Sequence, residues 1–328
     1  MDTPRRTQRG GPRPHRFHRG AHDVDDGGGL MRRPLTRLLL VIPLCGVLVA
    51  ALLSAGWLII GKPVPARGAT WFTLTQLGDA QYSGSPTEPF FFLAIGNDGR
   101  TNDVNGLGDA IHVIGVNPAL RQATILNVPR DTTAPSGDKI NAYHSLNGLP
   151  GIADQLNQMM GIEIRYAITT NFFNLSAMVD AVGGIDVNVP YEFSDADSGA
   201  FFTPGPTHLT GDEVLRYSRD RKDWVDGDIT RTANQAHIII SALATFRAQN
   251  VGDAGALHLT AVLARHVHMM NIDMVGLWRL GRLALTIDPA TIRNITIPVG
   301  TGAGSNLNVG SGAAELFADF RDDGIVQG

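Results

Sequence analysis

The chain has 328 residues, 43% of them hydrophobic, enough for one large domain or two smaller ones around a buried core. Its charge is divided: residues 1–37 hold nine arginines and four aspartates, whereas residues 62–328 hold eighteen Lys and Arg against twenty-seven Asp and Glu. An acidic folded part excludes a general nucleic-acid binder, and a single cysteine, Cys45, excludes an intrachain disulfide.

Residues 1–37 are rich in Arg, Gly, Pro and His and poor in apolar residues, so they read as a disordered basic arm. Leu38 to Ile60 is an uncharged apolar run of 23 residues, long enough to span a bilayer as one helix. Pro43 and Gly46 within it are tolerated in membrane helices. Arg32, Arg33 and Arg37 immediately before it predict a cytoplasmic N-terminus and an exported remainder. The apolar core of a cleaved signal peptide is shorter, about 7–15 residues, so a single-pass cell-membrane anchor is the preferred reading. Residues 61–88 then form a linker.

The folded part reads as 89–250, with residues 251–328 adding helices and a strand to the same domain. Pro89–Gly96 is a short apolar run that suits a buried strand. Ala110–Val116 and Ala123–Val128, rich in β-branched residues and separated by Asn117-Pro118, read as strand, turn, strand. Helical spacing begins at Gly151 and runs to Met160. Tyr166–Thr170 is a strand, and Asn171–Val182 a helix closed by Gly183-Gly184. Phe172, Leu175, Val179 and Val182 form that helix's apolar stripe, mainly a packing surface. Ile185–Val189 alternates as a half-exposed strand, and Pro190–Pro206 reads as a loop. Thr210 and Glu213 make a capping box for a short helix, and Thr230–Ala248 is a long one. A helix near Met274–Leu285, a strand at Ile292–Ile297 and a helix near Ala313–Arg321 complete the pattern. Strands and helices intermix without a strict βαβ rhythm, which predicts a mixed α/β layer fold over a doubly wound one.

Two clusters carry possible chemistry. Asp98 follows the first strand and Asp109 precedes the second. If those strands are neighbours, both carboxylates sit at one end of the sheet. There they suit Mg²⁺ (or Mn²⁺) with phosphate oxygens, or they simply cap turns; spacing leaves both open. Arg130 follows a strand, and Lys139 and Asn141 sit in the next loop. Downstream, Arg216, Arg219, Arg221 and Arg231 surround Asp228. Arg219 and Arg221, one residue apart, share a side of an extended segment, and Asp228, Arg231 and Gln235 share one helix face. Guanidinium forks grouped this way suit a phosphate dianion. An exposed helix start with an Asp228–Arg231 ion pair explains only part of the cluster.

From about Phe90 to Leu243 the motifs resemble the LytR-CpsA-Psr family of cell-envelope phosphotransferases. They are Gly-Asn-Asp-Gly-Arg at 96–100, Asn-Val-Pro-Arg-Asp-Thr at 127–132, Asp-Lys-Ile-Asn at 138–141 and Met-Val-Asp-Ala-Val-Gly-Gly-Ile-Asp-Val-Asn-Val-Pro at 178–190. Leu-Thr-Gly-Asp-Glu-Val-Leu-Arg-Tyr-Ser-Arg-Asp-Arg at 209–221 and Gly-Asp-Ile-Thr-Arg at 227–231 with Gln235 follow in order. The resemblance implies a mixed sheet sandwiched by helices and an apolar pocket for a polyprenyl chain, for which Phe172, Phe173 and Val179 are candidates beside their role in helix packing. It implies transfer of a glycan-1-phosphate from a polyprenyl pyrophosphate carrier to a peptidoglycan sugar hydroxyl, a phosphotransferase reaction. Hydrolysis of the carrier pyrophosphate, or non-catalytic binding of a lipid-linked glycan, are the alternatives. By resemblance Asp98 and Asp109 belong to the metal and pyrophosphate, and Arg130, Arg219 and Arg221 to the pyrophosphate. Lys139, Asp228, Arg231 and Gln235 fall at further recurring polar positions, and Asn141 joins the substrate-binding set. The sequence departs from the pattern twice. Leu107-Gly108-Asp109-Ala110 stands where members commonly carry Arg-Ser-Asp-Thr, so that one pocket arginine is absent or supplied by Arg100. Asn234 stands where many carry Arg.

Overall fold

A computed structural model describes residues 88–99, 106–221 and 226–327. The arm, the apolar run and all of the linker but Glu88 therefore lie outside the described residues, as does Arg100. The described residues all fall in one unit, within Arg67–Gly328, and no helix among them is long and apolar enough to cross a membrane.

The three apolar runs at the start become β1 (Phe90–Asn97), β2 (Gly108–Asn117) and β3 (Gln122–Asn127), an antiparallel meander. β4 (Ile164–Asn171) pairs parallel with β1, β9 (His268–Met270) antiparallel with β4, and β10 (Arg293–Thr296) parallel with β3. The result is one six-stranded mixed sheet of order β10-β3-β2-β1-β4-β9.

Strand alternation sends side chains to both faces, and each face is covered. On one, Leu93, Ile95, Ile111, Val113 and Leu126 pack against α1 (Ala142–Met160) and α7 (Ala313–Asp323) through Ile152, Leu156, Phe317 and Phe320. On the other, Tyr166 and the partly buried Phe90 and Phe92 meet α5 (Asp253–His266) and α6 (Met274–Ala284) through Ala264 and Leu277. Fully burying each large aliphatic or aromatic side chain contributes about 1.5–3 kcal/mol. The expected mixed sheet between helices is therefore present.

A second core lies beside the sheet. It joins α2 (Phe172–Ala181), α3 (Gly211–Arg219) and α4 (Gly227–Ala248) to two small antiparallel ribbons. One ribbon pairs β5 (Ile185–Val189) with β8 (Gly205–Leu209), the other β6 (Phe193–Asp195) with β7 (Ala200–Phe202). Phe193, Phe202 and Tyr217 form its aromatic centre, with Phe193 and Tyr217 rings 4.5 Å apart. Asn171 caps α2 by accepting from the Asn174 amide at 2.9 Å, and Gly183 and Gly184 turn the chain at φ 85° and 91°. The Thr210–Glu213 capping box is formed, the Thr210 amide donating to Glu213 Oε2 at 2.8 Å.

Four expectations change. The loop at 190–206 contains two three-residue strands and the start of β8, too short for alternation to show. α1 begins at Ala142, not Gly151, because Gly148 (φ 64°, ψ −159°) and Pro150 kink the helix and mask its first turns. Residues 253–266 form α5, which the pattern reading missed. A ribbon of β11 (Val299–Thr301) and β12 (Leu307–Val309) occupies a stretch that carries little apolar signal.

Candidate active site

The β1–β2 register is Gly96↔Ala110 and then Asn97↔Gly108, which leaves Asp109 as the extra residue of a bulge. Bulges re-aim side chains, and this one places Asp109 at the same sheet end as Asp98. Asp98 closes its own loop: its amide donates to the Leu107 carbonyl at 3.1 Å, and its Oδ1 accepts from the Leu107 amide at 2.8 Å. The strands are thus neighbours, as the placement of the two carboxylates requires.

Asp98 and Asp109 line a cavity of about 280 Å³ with Arg130, Phe172, Arg219, Arg221, Arg231 and Gln235, together with Asp195, Asp197, Ser198 and Ser218. Arg130 leaves the end of β3 and donates to Asp109 Oδ1 at 2.9 Å, with its Nε 3.5 Å from Asp228 Oδ1. Arg231, buried on α4, lies 2.8 Å from the same Asp228 oxygen and donates to the Asp109 carbonyl at 3.4 Å. Asp228 therefore ties two guanidiniums together. Burial pulls the Arg130 pKa down, but Asp109, Asp228 and Asp131 outweigh it and raise the value. For Arg231 burial prevails over Asp228 and the pKa is lowered; both stay cationic at neutral pH because an arginine starts far above it.

Arg219 closes α3 and lies over the Phe172 ring at 5.4 Å; Arg221 lies two residues beyond the helix, after the C-cap Asp220. The two line the cavity together, though one ends a helix and no extended run joins them. Among the described residues no carboxylate reaches either guanidinium. Among the described residues, then, Arg130 and Arg231 are held by acids and Arg219 and Arg221 are not. Gln235 Nε2 donates to the Ser218 carbonyl at 3.0 Å and fastens α4 to α3.

Lys139 and Asn141 do not line the cavity. Lys139 donates to Asp131 Oδ1 at 2.6 Å and to Ser305 Oγ at 2.9 Å. Asn141 is buried, its amide donating to the Arg130 carbonyl and its carbonyl accepting from Gly108. Both support the loop that carries Arg130. Arg216 pairs with Asp212 on the exposed side of α3, apart from the cavity. Asn234 is buried and accepts from the Tyr191 hydroxyl at 2.5 Å, a second-core contact and not a cavity one. Phe173 is exposed and Val179 is core. Sequence reasoning missed Asp195, Asp197 and Ser198; a turn-forming Asp-Ala-Asp-Ser-Gly run was the only signal.

Mg²⁺ or Mn²⁺ can be tested against this donor set. Of the four aspartates that line the cavity, Asp98 and Asp109 come from the sheet end, and no group of three acidic, His or Cys side chains suited to a metal occurs among the described residues. Two oxygen donors fit Mg²⁺, which takes one or two carboxylates and completes its shell with phosphate oxygens and water. Asp109 would share itself between the ion and Arg130.

The cavity thus gathers four arginines between the end of a mixed sheet and two helices. The LytR_cpsA_psr family model matches residues 73–317, and the chain belongs to that family. A polyisoprenyl-teichoic acid–peptidoglycan teichoic acid transferase TagU of Bacillus mycoides (strain KBAB4) is 34% identical over 160 residues, 47% of this chain and 52% of that protein. The chain thus spans about half the length of that relative. The crystal structure of Bacillus subtilis TagV superposes with a TM-score of 0.63 at 25% identity, covering 73% of this chain and 97% of that one. A LytR-Csp2A-Psr enzyme from Actinomyces oris gives 0.59 at 22% identity over 76% and 96%, a likeness of fold.

Proposed function

We propose that this chain transfers a glycan-1-phosphate from a polyprenyl pyrophosphate carrier to a peptidoglycan sugar hydroxyl, outside a membrane in which Leu38 to Ile60 anchors it. One observation carries the reading: a family member's cavity in which Arg130, Arg219, Arg221 and Arg231 meet the sheet-end carboxylates Asp98 and Asp109. The teichoic acid transferase names of its relatives support the same reaction class.

In this reading the acceptor oxygen attacks the glycan-linked phosphorus. The bond to the bridging oxygen breaks, giving a glycan phosphodiester and polyprenyl phosphate. Arg219 and Arg221 bind the pyrophosphate, and Arg130 follows the charge that develops on the transferring and leaving oxygens. Catalysis of this kind is mostly positioning and electrostatics. Asp98 or Asp109 takes the hydroxyl proton. A Mg²⁺ ion, which these two aspartates would hold, would supply positive charge to the pyrophosphate. Phe172 offers the apolar edge of the cavity to the first isoprene units, and Arg100 belongs to the same substrate-binding set.

The test is turnover of a polyprenyl-pyrophosphate glycan by the full chain, with and without peptidoglycan. Arg130→Ala and Arg219→Ala should each lose about 10²–10³ in rate. Near-normal turnover by either would sink the assignment. Product made equally without peptidoglycan would mark a hydrolase, and no binding of the carrier would mark neither.

A further inference from the structure

The β6–β7 ribbon presents a turn whose carboxylate reaches across to the arginine pair. Asp195 is only 4% exposed. Its Oδ1 accepts from the Asp197 amide at 2.8 Å and the Ser198 amide at 3.4 Å, and its Oδ2 accepts from the Arg221 amide at 3.3 Å. Two of these bonds shape the turn; the third crosses from the ribbon to the segment after α3. On the opposite side, the Arg221 carbonyl lies against Gly227, the first residue of α4. A Cβ built there would come 2.6 Å from that oxygen, closer than real Cβ atoms approach. The Arg221 backbone is thus gripped twice, by a carboxylate on its N–H and by a bare Cα on its C=O. Asp220 before it is fully buried, so slack does not enter from that side.

We infer that Asp195 is a positioning residue, which fixes the Arg221 backbone and so aims the Arg221 guanidinium into the cavity. The inference rests on the phosphate reading of that cavity. Asp195 lines the cavity, yet both its oxygens are committed to backbone amides, whereas Asp98 gives one oxygen to the Leu107 amide and Asp109 one to Arg130. Burial pushes its carboxyl up, but the amides of Asp197, Arg221 and Ser198 outweigh burial and bring it to about 2. It stays an anion throughout the working range, as a fixed acceptor must. Long side chains such as Arg lose much rotamer freedom when they bind, and a pinned backbone removes part of that cost.

The experiment is a double-mutant cycle on the full chain in detergent, reading the Kd for inorganic pyrophosphate by calorimetry. Asp195→Asn keeps the size but sets an amide NH₂ against a backbone donor. It should weaken binding roughly tenfold, the scale of one lost charge-assisted hydrogen bond. The loss should vanish in an Arg221→Ala background and persist in an Arg130→Ala background. Equal losses in both backgrounds would make Asp195 a general structural residue and overturn the inference. Gly227→Ala attacks the same grip from the other side and should show the same dependence on Arg221, which keeps the cycle informative if Asp195→Asn fails to fold. Wild-type protein that does not bind pyrophosphate would overturn the phosphate reading itself, along with the inference.

Discussion

At the scale of single residues, the site separates cations that are held from cations that are offered. Arg231 is 6% exposed and rests on Asp228. Removing one member of a buried pair strands the other, so Asp228→Ala should lower unfolding free energy by about 3 kcal/mol in urea titrations. Arg219→Ala, which strands no acid among the described residues, should leave that midpoint almost unmoved while activity falls. His112 gives a pH prediction. It is buried on β2 with Nδ1 2.8 Å from Asn127 Oδ1, and burial, only partly offset by that contact, lowers its pKa to about 4. The unfolded chain binds that proton near pH 6.5, so stability should fall as pH drops from about 6.5 to about 4, by up to about 1.4 kcal/mol per pH unit. Urea midpoints across that range, compared with His112→Gln, check it: an unchanged slope would assign the effect to other histidines. Short spacing made Arg219 and Arg221 legible in the sequence, but it also drew in Arg216, which pairs with Asp212 outside the cavity. Asp195 was not, because its partner Arg221 lies 26 positions away.

At the scale of elements, the strands were readable where they were long and buried and unreadable where they were short. β1 to β4 showed themselves as apolar runs, whereas β6 and β7 have three residues each and no period to detect. Glycines record contacts between elements that no periodicity reveals. A Cβ at Gly115 on β2 would stand 2.1 Å from the Gly324 carbonyl and 2.5 Å from the Phe320 ring. The end of α7 therefore lies directly on the sheet. Gly115→Ala should cost about 1–3 kcal/mol by overpacking, measured as a lower thermal midpoint with the cavity residues untouched. The β11–β12 ribbon acts in a similar long-range way. The Leu307 amide donates to the Asp131 carbonyl at 2.9 Å, the Thr133 amide donates to the Leu307 carbonyl at 2.7 Å, and Lys139 bridges Asp131 and Ser305. Lys139→Met keeps the stem and removes the charge. It should reduce turnover through a looser Arg130 loop while the Kd for pyrophosphate changes less than in Arg219→Ala, a split that steady-state and binding data would show.

At the scale of the whole molecule, the proposed anchor, with Arg32, Arg33 and Arg37 just before the apolar run, would put one end of the protein on each side of a membrane. A reporter enzyme active only after export should work when fused after residue 328 and fail when fused after residue 37. The reverse pattern would invert the topology. The mixed α/β class followed from the intermixed elements, but the strand order did not, because β9 and β10 enter the sheet far from their sequence neighbours. That late entry has a consequence for synthesis. Among the described residues every side chain that lines the cavity lies between Asp98 and Gln235, yet one of the fastenings of the Arg130 loop, beside Asn141, is the amide and carbonyl of Leu307. A chain emerging N-terminus first would expose its complete set of cavity residues long before their brace arrives. A premature stop anywhere from about residue 240 to 306 would release a product with its reactive groups present and their scaffold unlatched.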